Sequence, residues 1–191
     1  MISKEKVKTI AGHPNFLTLF RIAACPAIVV LLLFPNRFFT LVATLLFSLA
    51  AITDFLDGFV ARRRGLVSHF GKLMDPLADK LLISCSFIMI SSHGWIPAWV
   101  VCVIVGRELA VTGLRNFISG SSMEADVSAS KLGKYKTGFQ IAAIIPLLIH
   151  FPYFGINFNA IGMALLWAAL GMTIWSGVAY FIQFRGLLFE K

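Results

Sequence analysis

Six apolar stretches, each about as long as a helix that crosses a bilayer, follow one another along this chain and leave it few ways to fold. They run over about 15–34, 38–62, 72–91, 96–117, 131–151 and 157–184. Pro14 opens the first, Pro35-Asn36 closes it, and His93-Gly94 breaks the chain before the fourth. With 58% hydrophobic and only 14% charged residues, and a mean hydropathy of +0.84, this is not the composition of a soluble domain. The expected fold is an all-α polytopic membrane protein of six transmembrane helices. It forms one domain over 1–191, with 1–12 as a basic juxtamembrane segment carrying Lys4, Lys6 and Lys8. Pro14 and Asn15 separate that segment from the first apolar run, so no cleaved signal peptide is expected.

Lys and Arg fix the expected orientation. With both termini in the cytoplasm, the inner side holds or adjoins the N-terminal lysines, Arg62 to Arg64, Lys72, Lys80, Arg107, Arg115, Lys131, Lys134, Lys136, Arg185 and Lys191. The outer turns hold only Arg37. The formal charge of +8 is spread among apolar spans and forms no soluble basic patch, so nucleic acid is not an expected partner. Cys25, Cys85 and Cys102 all lie in apolar stretches and read as reduced packing residues. Polar groups gather in the cytoplasmic halves of the spans, as in a cavity open to the cytosol and bounded by lipid. The four Trp and many of the 18 Phe read as interfacial-belt and packing residues. Gly162, Ala164, Ala168, Ala169 and Gly171 suit close helix packing, either within the chain or across a homodimer.

Residues 52–80 place four acids where a membrane protein least tolerates them. Asp54 and Asp57 are three residues apart and Asp75 and Asp79 four apart, so each pair shares one face of a helix. Unless an opposite charge sits among them, such clustered carboxylates repel one another or take up protons. Carboxylate-rich ligation suits Mg²⁺, Mn²⁺ or Ca²⁺, and no cysteine stands near to suggest zinc. The alternative is a salt-bridge network at the membrane edge with Arg62, Arg63, Arg64 and Lys72.

The spacing Asp54-x2-Asp57-Gly58-x2-Ala61-Arg62-x8-Gly71-x3-Asp75-x3-Asp79 resembles, with no departures, the signature of the CDP-alcohol phosphotransferases. Small side chains at Gly58 and Ala61 would let a nucleotide lie close to the helix backbone, and Arg62 would meet a phosphate. The resemblance implies Mg²⁺ or Mn²⁺, one or two ions, held by Asp54, Asp57, Asp75 and Asp79. It implies Asp79 as the general base and Asp57, Gly58, Ala61, Arg62 and Gly71 as the residues around CDP. Asn15, Thr18, Arg21 and Pro26 match a run found at the start of many members. Arg21 there suits either a salt bridge or a ligand contact.

Arg107-Glu108-Leu109 with Thr112 to Arg115, and Gly133 to Thr137, are similar to runs in the bacterial members that make phosphatidylglycerophosphate. The implied reaction is transfer of a phosphatidyl group from CDP-diacylglycerol to sn-glycerol 3-phosphate in the bacterial cytoplasmic membrane. Arg107, Arg115, Lys134 and Lys136 are the expected cations for the acceptor phosphate, with Lys136 on a different face from Lys131 and Lys134. Glu108 suits either a site role or simple neutralisation of Arg107. Phosphatidylglycerol (as in a cardiolipin synthase), inositol phosphate, serine or choline as acceptor remain alternatives. So, more distantly, does a cation or proton transporter, although transporters place such acids near the bilayer centre.

Overall fold

The computed structural model describes the backbone of residues 14–64, 69–120 and 131–189, and the side chains of 18–53, 74–114 and 136–182. Among the described residues there are six helices and no extended strand. These are α1 (Pro14–Leu32), α2 (Arg37–Arg64), α3 (His69–Ser92), α4 (Ala98–Gly120), α5 (Lys131–Ile149) and α6 (Phe158–Phe189). The chain divides into two compact units. One holds α1, α2 and α3 as far as Met89, with Leu148–Phe151. The other holds Ile90–Leu147 and the chain from Pro152 on.

Local chemistry sets the helix ends. Asn36, expected only to close α1, also starts α2, because its Oδ1 accepts from the backbone N–H of Phe38 at 3.1 Å and of Phe39 at 2.9 Å. Asn157 does the same for α6, accepting from Ala160 N–H at 3.1 Å. After α3, Gly94 takes φ +71° while its N–H bonds Ser91 C=O at 2.9 Å and Trp95 N–H bonds Ile90 C=O at 3.3 Å. Those two bonds and the left-handed glycine satisfy the last carbonyls of the helix. One boundary differs from expectation: α3 begins at His69, so Gly71 is helical and Pro76 lies beyond the first turn. There its missing N–H leaves out one helix bond beside Asp75.

In the first unit, α1 packs on α2. The buried positions follow a three-four spacing: Thr18, Arg21, Ala24, Cys25, Ile28 and Leu32 on α1, and Thr40, Ala43, Thr44, Phe47 and Ala50 on α2. Positions 54 and 57 continue the α2 register along its backbone, and 75 and 79 share the register of buried Leu82 and Ser86 on α3. Asp75 and Asp79 therefore continue the stripe of Leu82 and Ser86. Buried hydroxyls on α2 and α3 bond within their own helices: Thr44 donates to Thr40 C=O at 2.7 Å and Ser86 to Leu82 C=O at 2.8 Å. In the second unit α4 packs on α6 and Trp99 meets Trp167 at 5.7 Å between ring centroids. Gly162 lets α6 approach α5, since a Cβ there would stand 2.9 Å from the backbone nitrogen of Leu147. At that glycine the close packing is within the chain.

Among the described residues one helical segment, Phe158–Ile182, is by itself long and apolar enough to cross a membrane. Shorter apolar helical segments run over Thr18–Leu32, Arg37–Thr53 and Lys136–Ile149. Large apolar side chains nevertheless face outward on every helix, among them Val30, Leu45, Ile88, Leu109, Phe139 and Trp175. Exposed apolar surface of this kind marks faces that meet lipid or another protein. Cys25 is buried and Cys85 half-buried, but Cys102 lies on this outer face and not in the core.

Candidate active site

Asp75 is held from α1. Its Oδ1 accepts a hydrogen bond from Thr18 Oγ1 and another, at 3.0 Å, from Arg21 Nη2. Thr18 and Arg21 are three residues apart and so face α3 together. The two partners differ in exposure: the Arg21 side chain is wholly buried, while that of Asp75 is 41% exposed. A buried guanidinium is costly without a hydrogen-bonded counter-charge, and here the counter-charge is the carboxylate at the rim. Of the two roles open to Arg21, the structure shows the salt bridge. The role of Thr18 is not readable from the sequence, because its contact spans 57 residues and no local periodicity reveals it.

Carboxylate oxygens are the donors that hard divalent cations take. Both bonds to Asp75 fall on one oxygen, so the exposed carboxylate is oriented without being sealed in. Asp79, half-buried, lies one turn further along α3. Asp54 and Asp57 lie on α2 and Gly71 on α3, as do Gly58, Ala61 and Arg62 on α2, but their side chains fall outside the described residues. Among the described residues no three His, Cys, Asp or Glu gather, with two of the four acids outside that set. The donor chemistry fits a hard divalent ion.

A second polar centre lies in the other unit. Lys136 on α5, expected among the cations for the acceptor phosphate and on a different face from Lys131 and Lys134, is buried and donates to Glu108 Oε1 on α4. Gln140 Nε2 stands 3.5 Å from the same oxygen and 3.5 Å from Thr173 Oγ1 on α6. Arg107 Nη2 donates to Ser176 Oγ at 3.0 Å, while its Nη1 is 3.8 Å from Glu108 Oε1. Glu108 is thus the counter-ion of Lys136 first and a more distant neighbour of Arg107. The side chains of Arg115, Lys131 and Lys134 fall outside the described residues. Thr173 and Ser176 were missed by sequence reading because α6 is otherwise so apolar.

Residues 11–175 match the family CDP-alcohol phosphatidyltransferase, a span that takes in both polar centres except Ser176. The chain belongs to this family. Among its relatives are three proteins named CDP-diacylglycerol--glycerol-3-phosphate 3-phosphatidyltransferase. That of Bacillus subtilis (strain 168) is 41% identical over 181 residues, covering 88% of this chain and 92% of its own. That of Rickettsia typhi is 39% identical over 169 residues, covering 88% and 94%. That of Salmonella choleraesuis is 33% identical over 180 residues, covering 93% and 97%. The phosphatidyltransferase family expected from residues 54–79 is therefore the family to which most of the chain is similar.

Proposed function

We propose that this chain transfers the phosphatidyl group of CDP-diacylglycerol to sn-glycerol 3-phosphate, giving phosphatidylglycerophosphate and CMP. The observation that carries the reading is near full-length similarity to relatives named for that reaction, at 33–41% identity. The oriented, exposed carboxylate of Asp75 supports it. The reaction runs at the cytoplasmic face of a membrane that the chain crosses six times. Outward apolar side chains on all six helices and the Lys/Arg asymmetry of the sequence support that topology. The exposed small-residue line Ala164, Ala168 and Gly171 on α6 supports pairing of two copies.

Asp54, Asp57, Asp75 and Asp79 would hold one or two Mg²⁺ or Mn²⁺ ions, which when bound neutralise charge on the diphosphate and on the leaving CMP. Thr18 and Arg21 keep Asp75 in place for that role. Gly58, Ala61, Arg62 and Gly71 line the place of the cytidine diphosphate together with Asp57. Asp79 takes the proton of the acceptor hydroxyl as its oxygen bonds to the phosphorus that carries the lipid. The bond from that phosphorus to CMP breaks, and CMP leaves with the electron pair. Arg107, Arg115 and Lys134 meet the acceptor phosphate. Lys136 joins them only by exchanging Glu108 for a phosphate oxygen.

An acceptor panel tests the reading. Purified protein in detergent, with CDP-diacylglycerol and Mg²⁺ or Mn²⁺, should release CMP with sn-glycerol 3-phosphate and not with inositol phosphate, serine or choline. Cardiolipin formed from phosphatidylglycerol, with no phosphatidylglycerophosphate, would overturn it. Release of CMP in detergent, where no gradient exists, also excludes transport as the primary activity.

A further inference from the structure

We infer that Ser176 and Gly177 of α6 are positioning residues for the acceptor anion and that they act through Arg107. The inference rests on the proposed contact of Arg107 with the acceptor phosphate. A long arginine side chain meets a phosphate well only when its planar fork is held in one orientation. Here the holding is done from α6. Arg107 Nη2 donates to Ser176 Oγ at 3.0 Å, and the stem of the side chain lies across Gly177. A Cβ at 177 would stand 3.1 Å from Arg107 Cγ and 3.5 Å from Nε.

Two observations separate this from ordinary helix packing. At Gly162 the atoms that a Cβ would meet include the Leu147 backbone, so that glycine serves helix contact; at Gly177 all three are Arg107 side-chain atoms. Ser176 donates its own proton to Thr173 C=O at 3.1 Å, which turns an oxygen lone pair towards the guanidinium. A hydroxyl orients the cation without cancelling its charge. The carboxylate nearby, Glu108, stands 3.8 Å from Nη1 and takes its hydrogen bond from Lys136.

Steady-state kinetics on the purified full chain, with each substrate varied in turn, test this. Gly177→Ala and Ser176→Ala should each raise KM for sn-glycerol 3-phosphate about tenfold, with kcat and the KM for CDP-diacylglycerol within about twofold. Ser176→Thr, which keeps the hydroxyl, should restore the acceptor KM. In an Arg107→Ala background, Gly177→Ala should add nothing. Equal effects on both substrates, no effect, or additivity with Arg107→Ala would overturn the inference. Should Gly177→Ala fail to fold, Ser176→Ala and Ser176→Thr still decide it. If Arg107→Ala itself shows no selective acceptor defect, the proposed role of Arg107 fails. If Arg107→Ala is selective and both α6 variants are silent, only this inference fails.

Discussion

The two polar centres solve the same problem, ionised groups among apolar helices, in opposite ways. Around Asp75 the cation is sealed and the acid exposed, Arg21 at 0% and Asp75 at 41% of the side chain. Around Glu108 both partners are enclosed, Lys136 at 4% and Glu108 at 12%. A carboxylate held by one oxygen at a rim is available to a third charge. A pair buried together mainly satisfies itself, and its worth lies in not being broken. The first arrangement suits a centre that binds and releases ions and substrates; the second suits a joint between α4 and α5, which Gln140 and Thr173 extend to α6.

The largest expected effects test that contrast directly. Asn at 54, 57, 75 or 79 keeps shape and loses charge, and each substitution should cut CMP release at least roughly 10²-fold, as loss of a metal ligand or general base does. Chelation of divalent metal should abolish activity, and added Mg²⁺ or Mn²⁺ should restore it. Folded Asp79→Asn protein with normal turnover would remove that residue from the base role. In the other centre the loss should be of stability: Glu108→Leu leaves Lys136 buried without its carboxylate and should cost about 3–5 kcal/mol. The double variant Glu108→Leu, Lys136→Met should recover most of that in thermal melts. If the double variant melts normally but its KM for glycerol phosphate rises sharply, Lys136 belongs to the acceptor site and the contrast is weaker than drawn.

How much of this was legible beforehand depended on distance along the chain. Helices came from apolar runs and their breaks, and the acid pairs from three- and four-residue spacing, because both signals are local. The third apolar run was read as starting at about 72, yet the helix already includes His69 to Gly71. Periodicity set Lys136 apart from Lys131 and Lys134 but could not say whether its face met lipid, phosphate or Glu108. The partners Thr18–Asp75, Arg21–Asp75 and Arg107–Ser176 join residues 57, 54 and 69 apart, and only the fold brings them together. Six crossings were read from run length; among the described residues one segment, Phe158–Ile182, is by itself long and apolar enough for a full span.

The smallest effect is the sharpest test of what holding Asp75 from α1 contributes. Thr18 is fully buried and bonds the same oxygen as Arg21. Thr18→Val keeps the branched shape and removes one hydrogen bond to a carboxylate, an interaction worth roughly 1.5–3 kcal/mol where both groups are enclosed. Asp75 is partly open, so water recovers some of that, and the expected loss in turnover is only a few-fold. If Thr18 orients a metal ligand, the variant should also need several-fold more Mg²⁺ for half-maximal activity, and Thr18→Ser should reverse both changes. The matching change in the enclosed centre, Gln140→Leu, should lower the melting temperature and leave the metal requirement alone. A Thr18→Val protein that melts early with an unchanged metal requirement would put its hydroxyl in the same class as Gln140. The two centres would then differ in exposure without differing in purpose.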